Sequence, residues 1–92
     1  MTRKAVRLTI HGRVQGVGFR YYTLHKAQAL HITGWVKNQY NSTVLVEAEG
    51  ESPDLDTFVD WCHLGPPRAQ VQEVQKQEIP VQGWDGFVVR SF

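Results

Sequence analysis

The sequence predicts an α+β fold in which one antiparallel sheet carries two helices on one face. The chain has 92 residues, the length of one domain, and we expect residues 1–92 to form one. Stretches with the two-residue period of strands alternate with two stretches of helical period. Their order is strand, helix, strand, strand, helix, strand and a short final strand. Two amphipathic helices can cover only one face of such a sheet.

The opening third of the chain divides into a strand, a glycine-rich loop and a helix. Apolar and polar residues alternate from Val6 to His11, which is typical of a half-buried strand. The loop Gly12–Gly18 interrupts this pattern. From Phe19 to Leu30 one helical face is mainly apolar, which predicts an amphipathic helix that packs on the sheet.

The next two strands are predicted to form a hairpin. Thr33–Asn38 and Thr43–Ala48 have the pattern of strands, and Gln39–Ser42 between them has the composition of a turn. We expect Asn41 to take the left-handed conformation in this turn, because asparagine tolerates a positive φ better than most residues.

The second helix has the clearest pattern in the chain. Ser52 is predicted as its N-cap and Pro53 as its first helical residue. Apolar residues then recur at i, i+3, i+4 and i+7, namely Leu55, Phe58, Val59 and Cys62. The run Gly65–Pro67 is expected to end the helix.

The last third is less regular. Val71 and Val74 are out of phase for one face of a strand, so a bulge or an edge strand is predicted there. Phe87 and Val89 mark a short closing strand. The complete order, βαββαβ plus a short C-terminal strand, is that of the ferredoxin-like split βαβ sandwich. This fold hosts many functions, so the function must be argued from a site.

Charge balance and cysteine content narrow the class of protein. Ten basic and nine acidic residues give a net charge of +1, which disfavours a general binder of nucleic acid or membrane surfaces. The single cysteine, Cys62, has no internal disulfide partner, so the chain suits a reducing compartment. Cys62 falls on the predicted apolar stripe, where core packing is its expected role. The sequence shows no signal-peptide pattern and no apolar run near the ~20 residues that span a bilayer. We therefore expect a cytoplasmic protein.

Several other polar residues carry no predicted function. The four histidines lack the spacing of metal ligands, so no metal site is predicted. Glu47 and Glu49 share one face of the third strand, where we expect both carboxylates to be solvated, with a carboxylate pair as the alternative.

The loop between the first strand and the first helix has the residue types of a small anion site. Gly12, Gly16 and Gly18 permit conformations in which consecutive N–H groups converge on an anion. The following helix directs its free N–H groups at the same point, and Arg20 in its first turn can hold two phosphate oxygens. The loop lacks the Gly-Lys-Ser/Thr end of a nucleotide P-loop and the spacing of a dinucleotide fingerprint. One phosphoryl group is therefore the predicted ligand.

Asn38, at the end of the predicted second strand, is the other candidate site residue. Its amide is no base near neutral pH, but it can donate and accept hydrogen bonds and so fix the position of a water. Positioning and charge stabilisation supply most of the barrier reduction in phosphoryl transfer. An acyl phosphate leaves as a carboxylate of low proton affinity, so such a site needs no general acid for this substrate class.

The stretch Gly12–Arg20 resembles the signature loop of the acylphosphatases, small enzymes that hydrolyse carboxyl-phosphate anhydrides. Four further segments resemble parts of the family in the same order: Gly34–Asn38, Val44–Gly50, Gly65–Ala69 and Phe87–Arg90. The resemblance implies hydrolysis of a small acyl phosphate to a carboxylate and inorganic phosphate, without metal or cofactor. We expect a monomer, which is the default for a chain of this size.

The resemblance also implies residue roles. Arg20 matches the family's phosphate-binding arginine, and Asn38 matches its water-positioning asparagine. The residues that match the backbone cradle of the phosphate are Gln15, Gly16, Val17, Gly18, Phe19 and Arg20. Family members commonly carry Asp-Gly in the hairpin turn where this chain has Asn41 and Ser42, so a different turn is expected.

Two other functions fit parts of the pattern. A non-catalytic phosphate- or anion-binding module of the same fold, as in the similar domain of larger maturation proteins, would use this loop without turnover. The end of the chain soon after its last strand favours the free-standing enzyme. RNA-recognition sheets share the topology, but they need exposed aromatic residues on the central strands, which here carry Val, Leu, Thr and Glu. We therefore predict an acylphosphatase.

Overall fold

The computed structural model of the protein describes residues 2–91, and it contains the predicted elements in the predicted order. These are β1 (Arg3–Arg13), α1 (Phe19–Ala29), β2 (Thr33–Asn38), β3 (Val44–Glu51), α2 (Ser52–Leu64), β4 (Gln70–Ile79) and β5 (Phe87–Arg90). Neither helix in the described part of the chain is long and apolar enough to cross a bilayer.

The five strands form one sheet in the order β4-β1-β3-β2-β5. Neighbouring strands are antiparallel except for β2 and β5, which run parallel, so the prediction of a purely antiparallel sheet was wrong at this pair. The reason is where β4 ends. Ile79 lies opposite Ala5, at the end of the sheet where β2 also begins, and residues 80–86 cross that end. A strand that starts there beside β2 must run in the same direction.

The predicted irregularity near Val71 and Val74 is confirmed, and it is both an edge strand and a bulge. β4 lies at one edge of the sheet. His11 pairs with Glu73, whereas Gly12 pairs with Val71, so Gln72 is the extra residue on β4.

The core lies between the sheet and one layer of two helices, as predicted. Helix α1 packs mainly over β2 and β5, and α2 packs over β1, β3 and β4. The predicted apolar stripe of α2 is buried throughout, including Cys62, and this burial raises the pKa of its thiol and keeps it neutral. The predicted N-cap is displaced by one residue: Glu51 holds the cap position, and Ser52 begins the helix and donates its N–H to the carbonyl of Thr2.

The hairpin turn differs from the prediction at Asn41. Ser42, not Asn41, has the left-handed conformation, with a φ of 72°. The Asn41 side chain instead stabilises the turn, since its Oδ1 accepts hydrogen bonds from the N–H and hydroxyl of Thr43 at 3.3 and 2.6 Å. A serine at a positive φ is strained, because its Cβ approaches the following carbonyl oxygen.

Replacing Ser42 by glycine is therefore expected to raise the free energy of unfolding by about 0.5 to 1 kcal/mol. The relief of strain exceeds the extra conformational entropy of glycine in the unfolded chain. Urea denaturation measures the change. Asn41→Ala in the same turn serves as the control and is expected to lower stability by about 1 kcal/mol, since it removes a local hydrogen-bond acceptor. A Ser42→Gly protein less stable than the wild type would contradict the strain argument.

The two strand-β3 glutamates are buried and paired, so the expectation of solvated carboxylates was wrong. Glu47 accepts a hydrogen bond from Nε of Arg7 at 2.7 Å. Glu49 is 1% exposed, pairs with Arg3 and accepts hydrogen bonds from the N–H groups of Gln82 (2.6 Å) and Gly83 (3.1 Å). Glu49 thus anchors the segment that carries the chain across the sheet end to β5.

Glu49 makes the stability of the fold sensitive to acid. Burial raises the pKa of this carboxyl, but the hydrogen bonds from Gln82 and Gly83 and the Arg3 guanidinium outweigh it, so its pKa lies below the ordinary 4.5. A lowered folded-state pKa contributes stability that is present above the unfolded-state pKa and is lost as the pH falls through the folded-state pKa.

Glu49→Gln is therefore expected to lower the free energy of unfolding by about 2 kcal/mol at pH 7, since hydrogen bonds to a charged group are lost. The difference from wild type should shrink as the pH falls from 4.5 through the lower folded-state pKa, because the unfolded wild-type chain binds the proton of this carboxyl more tightly than the folded one. Chemical denaturation at pH 7, 5, 4 and 3 measures it. Glu78→Gln on the exposed part of β4 is the matched control and should change little. A pH-independent deficit in Glu49→Gln would refute the linkage.

Candidate functional site

The glycine loop joins the end of β1 to the start of α1 and leaves its backbone donors free. Gly16 and Gly18 have φ values of 72° and 78°, and Gly18 is the N-cap of α1, with no side-chain capping bond. Within residues 2–91, none of the backbone N–H groups of residues 15–20 donates a hydrogen bond. These groups stand at the positive end of the helix dipole, an arrangement that favours an anion.

Arg20 lies in the first turn of α1, as predicted, and is partly buried. Its guanidinium forms no hydrogen bond or ion pair with any other described residue, unlike Arg3 and Arg7, which both pair with glutamates. An unpaired guanidinium beside free N–H groups provides a fork of donors for an anion.

Asn38 is the last residue of β2 and pairs with Val44 at the start of β3. Its Oδ1 is buried, yet it accepts no hydrogen bond from the described residues. A buried acceptor without a partner costs about 1 to 3 kcal/mol, and a hydrogen bond from a bound water or ligand would remove this cost. The amide is therefore available to a bound molecule.

The Gln15 side chain connects the loop to the hairpin that carries Asn38, a role that the sequence analysis missed. Its Nε2 donates to the carbonyl of Gln39 at 2.7 Å and to that of Thr43 at 2.9 Å. Gln39 directly follows Asn38. Gln15 thus fixes the loop against the end of β2, although no hydrogen bond among the described residues joins Arg20 to Asn38 themselves. A glutamine beside glycines offers no sequence signal for such a long-range bond.

Asn38 and the glycine loop line separate clefts at this end of the sheet. Asn38 lines a depression of about 90 Å³ with Lys37, Gln39 and Tyr40. A larger cleft of about 480 Å³ runs along the outside of the glycine loop, where neither Arg20 nor Asn38 lines it. Its lining residues are Arg13, Gln15, Gly16, Val17, Pro67, Arg68, Ala69 and Gln70. The sequence analysis predicted no function for Arg13 or Arg68.

The arrangement is suited to anion binding and to positioning. The loop offers N–H donors, Arg20 offers a guanidinium with several N–H donors, and Asn38 offers an amide that can donate and accept hydrogen bonds. Among residues 2–91 no group of three or more His, Cys, Asp or Glu side chains is placed to hold a metal ion.

Comparisons with known proteins identify the family to which the chain belongs. The sequence profile of the acylphosphatase family matches residues 6–89. A protein from Nocardioides sp. named acylphosphatase is 44% identical over 88 residues, which are 96% of this chain and 89% of the relative. The structure of an acylphosphatase from Coxiella burnetii superposes with a TM-score of 0.92 at 39% identity, covering 96% of this chain and 93% of that one.

A similar unit occurs within a much larger protein. The crystal structure of full-length HypF in its phosphate- and nucleotide-bound form superposes with a TM-score of 0.86 at 31% identity. The match covers 98% of this chain but 12% of that one.

Proposed function

The chain belongs to the acylphosphatase family and hydrolyses acyl phosphates, and we propose that its active site is the loop of residues 15–20 together with Asn38. The observation that carries this assignment is the set of unused donors: the backbone N–H groups of residues 15–20 and the unpaired Arg20 guanidinium. In this proposal these donors bind the phosphoryl oxygens. The buried, unpartnered Oδ1 of Asn38 accepts a hydrogen bond from the attacking water and fixes its position.

The proposed reaction is a displacement at phosphorus. The water oxygen forms a bond to phosphorus as the bond between phosphorus and the bridging oxygen breaks. The bridging oxygen leaves with the electron pair as a carboxylate, and the proton of the water passes to a phosphoryl oxygen of the substrate. The conjugate acid of this carboxylate has a pKa near 4, so the leaving group needs no proton from a protein acid. The donors stabilise the charge that builds up on the phosphoryl oxygens, which is where the barrier is lowered.

The reaction can be tested with benzoyl phosphate, whose hydrolysis is followed by ultraviolet absorbance. We expect turnover by the wild-type protein in EDTA, and competitive inhibition by inorganic phosphate, because the product retains the group that the loop binds. Loss of turnover in EDTA and its return with a divalent cation would contradict the metal-independent reaction. A folded protein that binds phosphate without turnover would be an anion-binding module instead.

We further propose that residues 1–92 act as a single-domain monomer in the cytoplasm. Cys62 is a free, buried cysteine. Proteins in reducing compartments keep their cysteines as free thiols, which supports the cytoplasm. Light scattering at the concentration used for activity tests the monomer: a mass near 10.5 kDa is expected, and a dimer mass would contradict it.

A further inference from the structure

Two arginines outside the proposed catalytic set face one cleft. Arg13 and Arg68 both line the cleft of about 480 Å³ beside the glycine loop. Both are exposed, and neither forms an ion pair or a side-chain hydrogen bond with any other described residue. Gly16 and Val17 of the glycine loop also line the cleft, so the cleft borders the proposed phosphate site.

Different parts of the fold bring these arginines together. Arg13 is the last residue of β1 and lies opposite Gln70, the first residue of β4. Arg68 lies in the turn before β4, which is closed by a hydrogen bond from the N–H of Ala69 to the carbonyl of Pro66 at 3.0 Å. The ends of β1 and of this turn are therefore held on the two sides of one cleft.

The positive charge of the cleft does not follow from composition, because the whole chain carries only +1. No carboxylate of residues 2–91 lines the cleft. Five acidic residues lie at the opposite end of the sheet or in the first turn of α2 beside it: Glu49, Glu51, Asp54, Glu78 and Asp85. At the cleft end of the sheet Glu73 pairs with His11 on β1, but it does not line the cleft. A cleft lined by two arginines concentrates anions near it.

We propose that this cleft binds the acyl part of the substrate and that the protein favours acyl phosphates whose acyl group carries a second anionic group. The proposal rests on the proposed location of the phosphate site. Arg68 and Arg13 would pair with the distal anion, while the loop and Arg20 hold the phosphoryl group. Guanidinium groups suit this role because they bind carboxylate and phosphate oxygens in pairs. Arg68 and Arg13 are specificity residues in this account, and the chemical step is unchanged.

Two matched substrates test the proposal, benzoyl phosphate and 4-carboxybenzoyl phosphate. The second differs from the first by a carboxylate at the far end of the ring. The readout is the ratio of their kcat/KM values, so that the intrinsic reactivity of each anhydride cancels between variants. We expect Arg68→Gln and Arg13→Gln each to lower the ratio by about twofold to fivefold, as an exposed charge pair allows. The ratio of the wild type should also fall as ionic strength rises, because both arginines are exposed.

Lys76→Gln is the matched control, since it removes one exposed positive charge from β4 and does not line the cleft. It should leave the ratio unchanged. An unchanged ratio in both arginine variants would overturn the proposal, and an equal fall in Lys76→Gln would attribute the preference to overall charge. The 4-phosphonobenzoyl substrate distinguishes a preference for a carboxylate from one for any anion.

A binding measurement separates this proposal from the catalytic one. Calorimetry with non-hydrolysable phosphonates, in which a methylene group replaces the bridging oxygen, needs no turnover. Tighter binding of the 4-carboxy compound that depends on Arg68 would support the cleft even if catalysis failed. Equal binding of the two compounds by the wild type would overturn it even if benzoyl phosphate were hydrolysed rapidly.

Discussion

Replacing Arg20 by alanine is expected to lower kcat/KM for benzoyl phosphate by about a thousandfold, because the site loses its fixed positive charge beside the phosphoryl oxygens. Arg20→Lys should recover little of this loss, since an ammonium group cannot hold two oxygens in a planar fork. Kinetics of the two variants beside the wild type measure the effect. Inorganic phosphate should no longer inhibit residual activity of Arg20→Ala at concentrations that inhibit the wild type.

Stability distinguishes a role in binding from a structural one. The Arg20 guanidinium makes no hydrogen bond or ion pair with residues 2–91, so Arg20→Ala should change the free energy of unfolding by less than about 0.5 kcal/mol. Lys26→Ala, which removes another partly buried cation from the last turn of the same helix, is the control for loss of a helical cation. An Arg20→Ala enzyme with near wild-type kcat/KM would remove Arg20 from the site.

Replacing Asn38 by alanine is expected to lower kcat by about a hundredfold or more with a small change in KM. The substrate is still bound by the loop and Arg20, while the attacking water loses its position. Asn38→Asp should be at least as inactive, because a carboxylate repels the anionic substrate. Steady-state kinetics with benzoyl phosphate separates kcat from KM in each variant.

The buried Oδ1 of Asn38 gives this variant an unusual expected stability. Because that atom has no partner among the described residues, Asn38→Ala should leave the free energy of unfolding unchanged or raise it by up to about 1 kcal/mol. Gln15→Ala is a useful comparison, since it removes two hydrogen bonds to the hairpin and should lower stability. A strongly destabilised Asn38→Ala protein would point to a structural role and weaken the assignment.

Much of the fold follows from local sequence patterns. The alternation in Val6–His11 and the helical spacing from Leu55 to Cys62 both identify which side of an element is buried, and the structure buries those sides. The glycine loop and Arg20 are contiguous, so the proposed phosphate site could be predicted with no knowledge of tertiary contacts.

The turn between β2 and β3 shows where local reasoning fails. Asparagine tolerates a positive φ better than serine, which favoured Asn41 for that conformation. In the structure the Asn41 side chain bonds to Thr43, and the ladder between β2 and β3 requires the positive φ one residue later, at Ser42. The register of two strands, rather than the preference of one residue, decided the turn.

The sequence by itself determined the elements, the buried face of each helix and the loop that offers its donors to an anion, because each depends on residues close together in the chain. The tertiary structure alone decided the parallel direction of β5 and the hydrogen bonds between Glu49 and the segment that precedes β5. It also decided the hydrogen bonds from Gln15 to the hairpin. It also brought Arg13 and Arg68 to one cleft. These features join residues more than twenty positions apart, where no local period or propensity specifies the partner, and only packing of the whole sheet selects it.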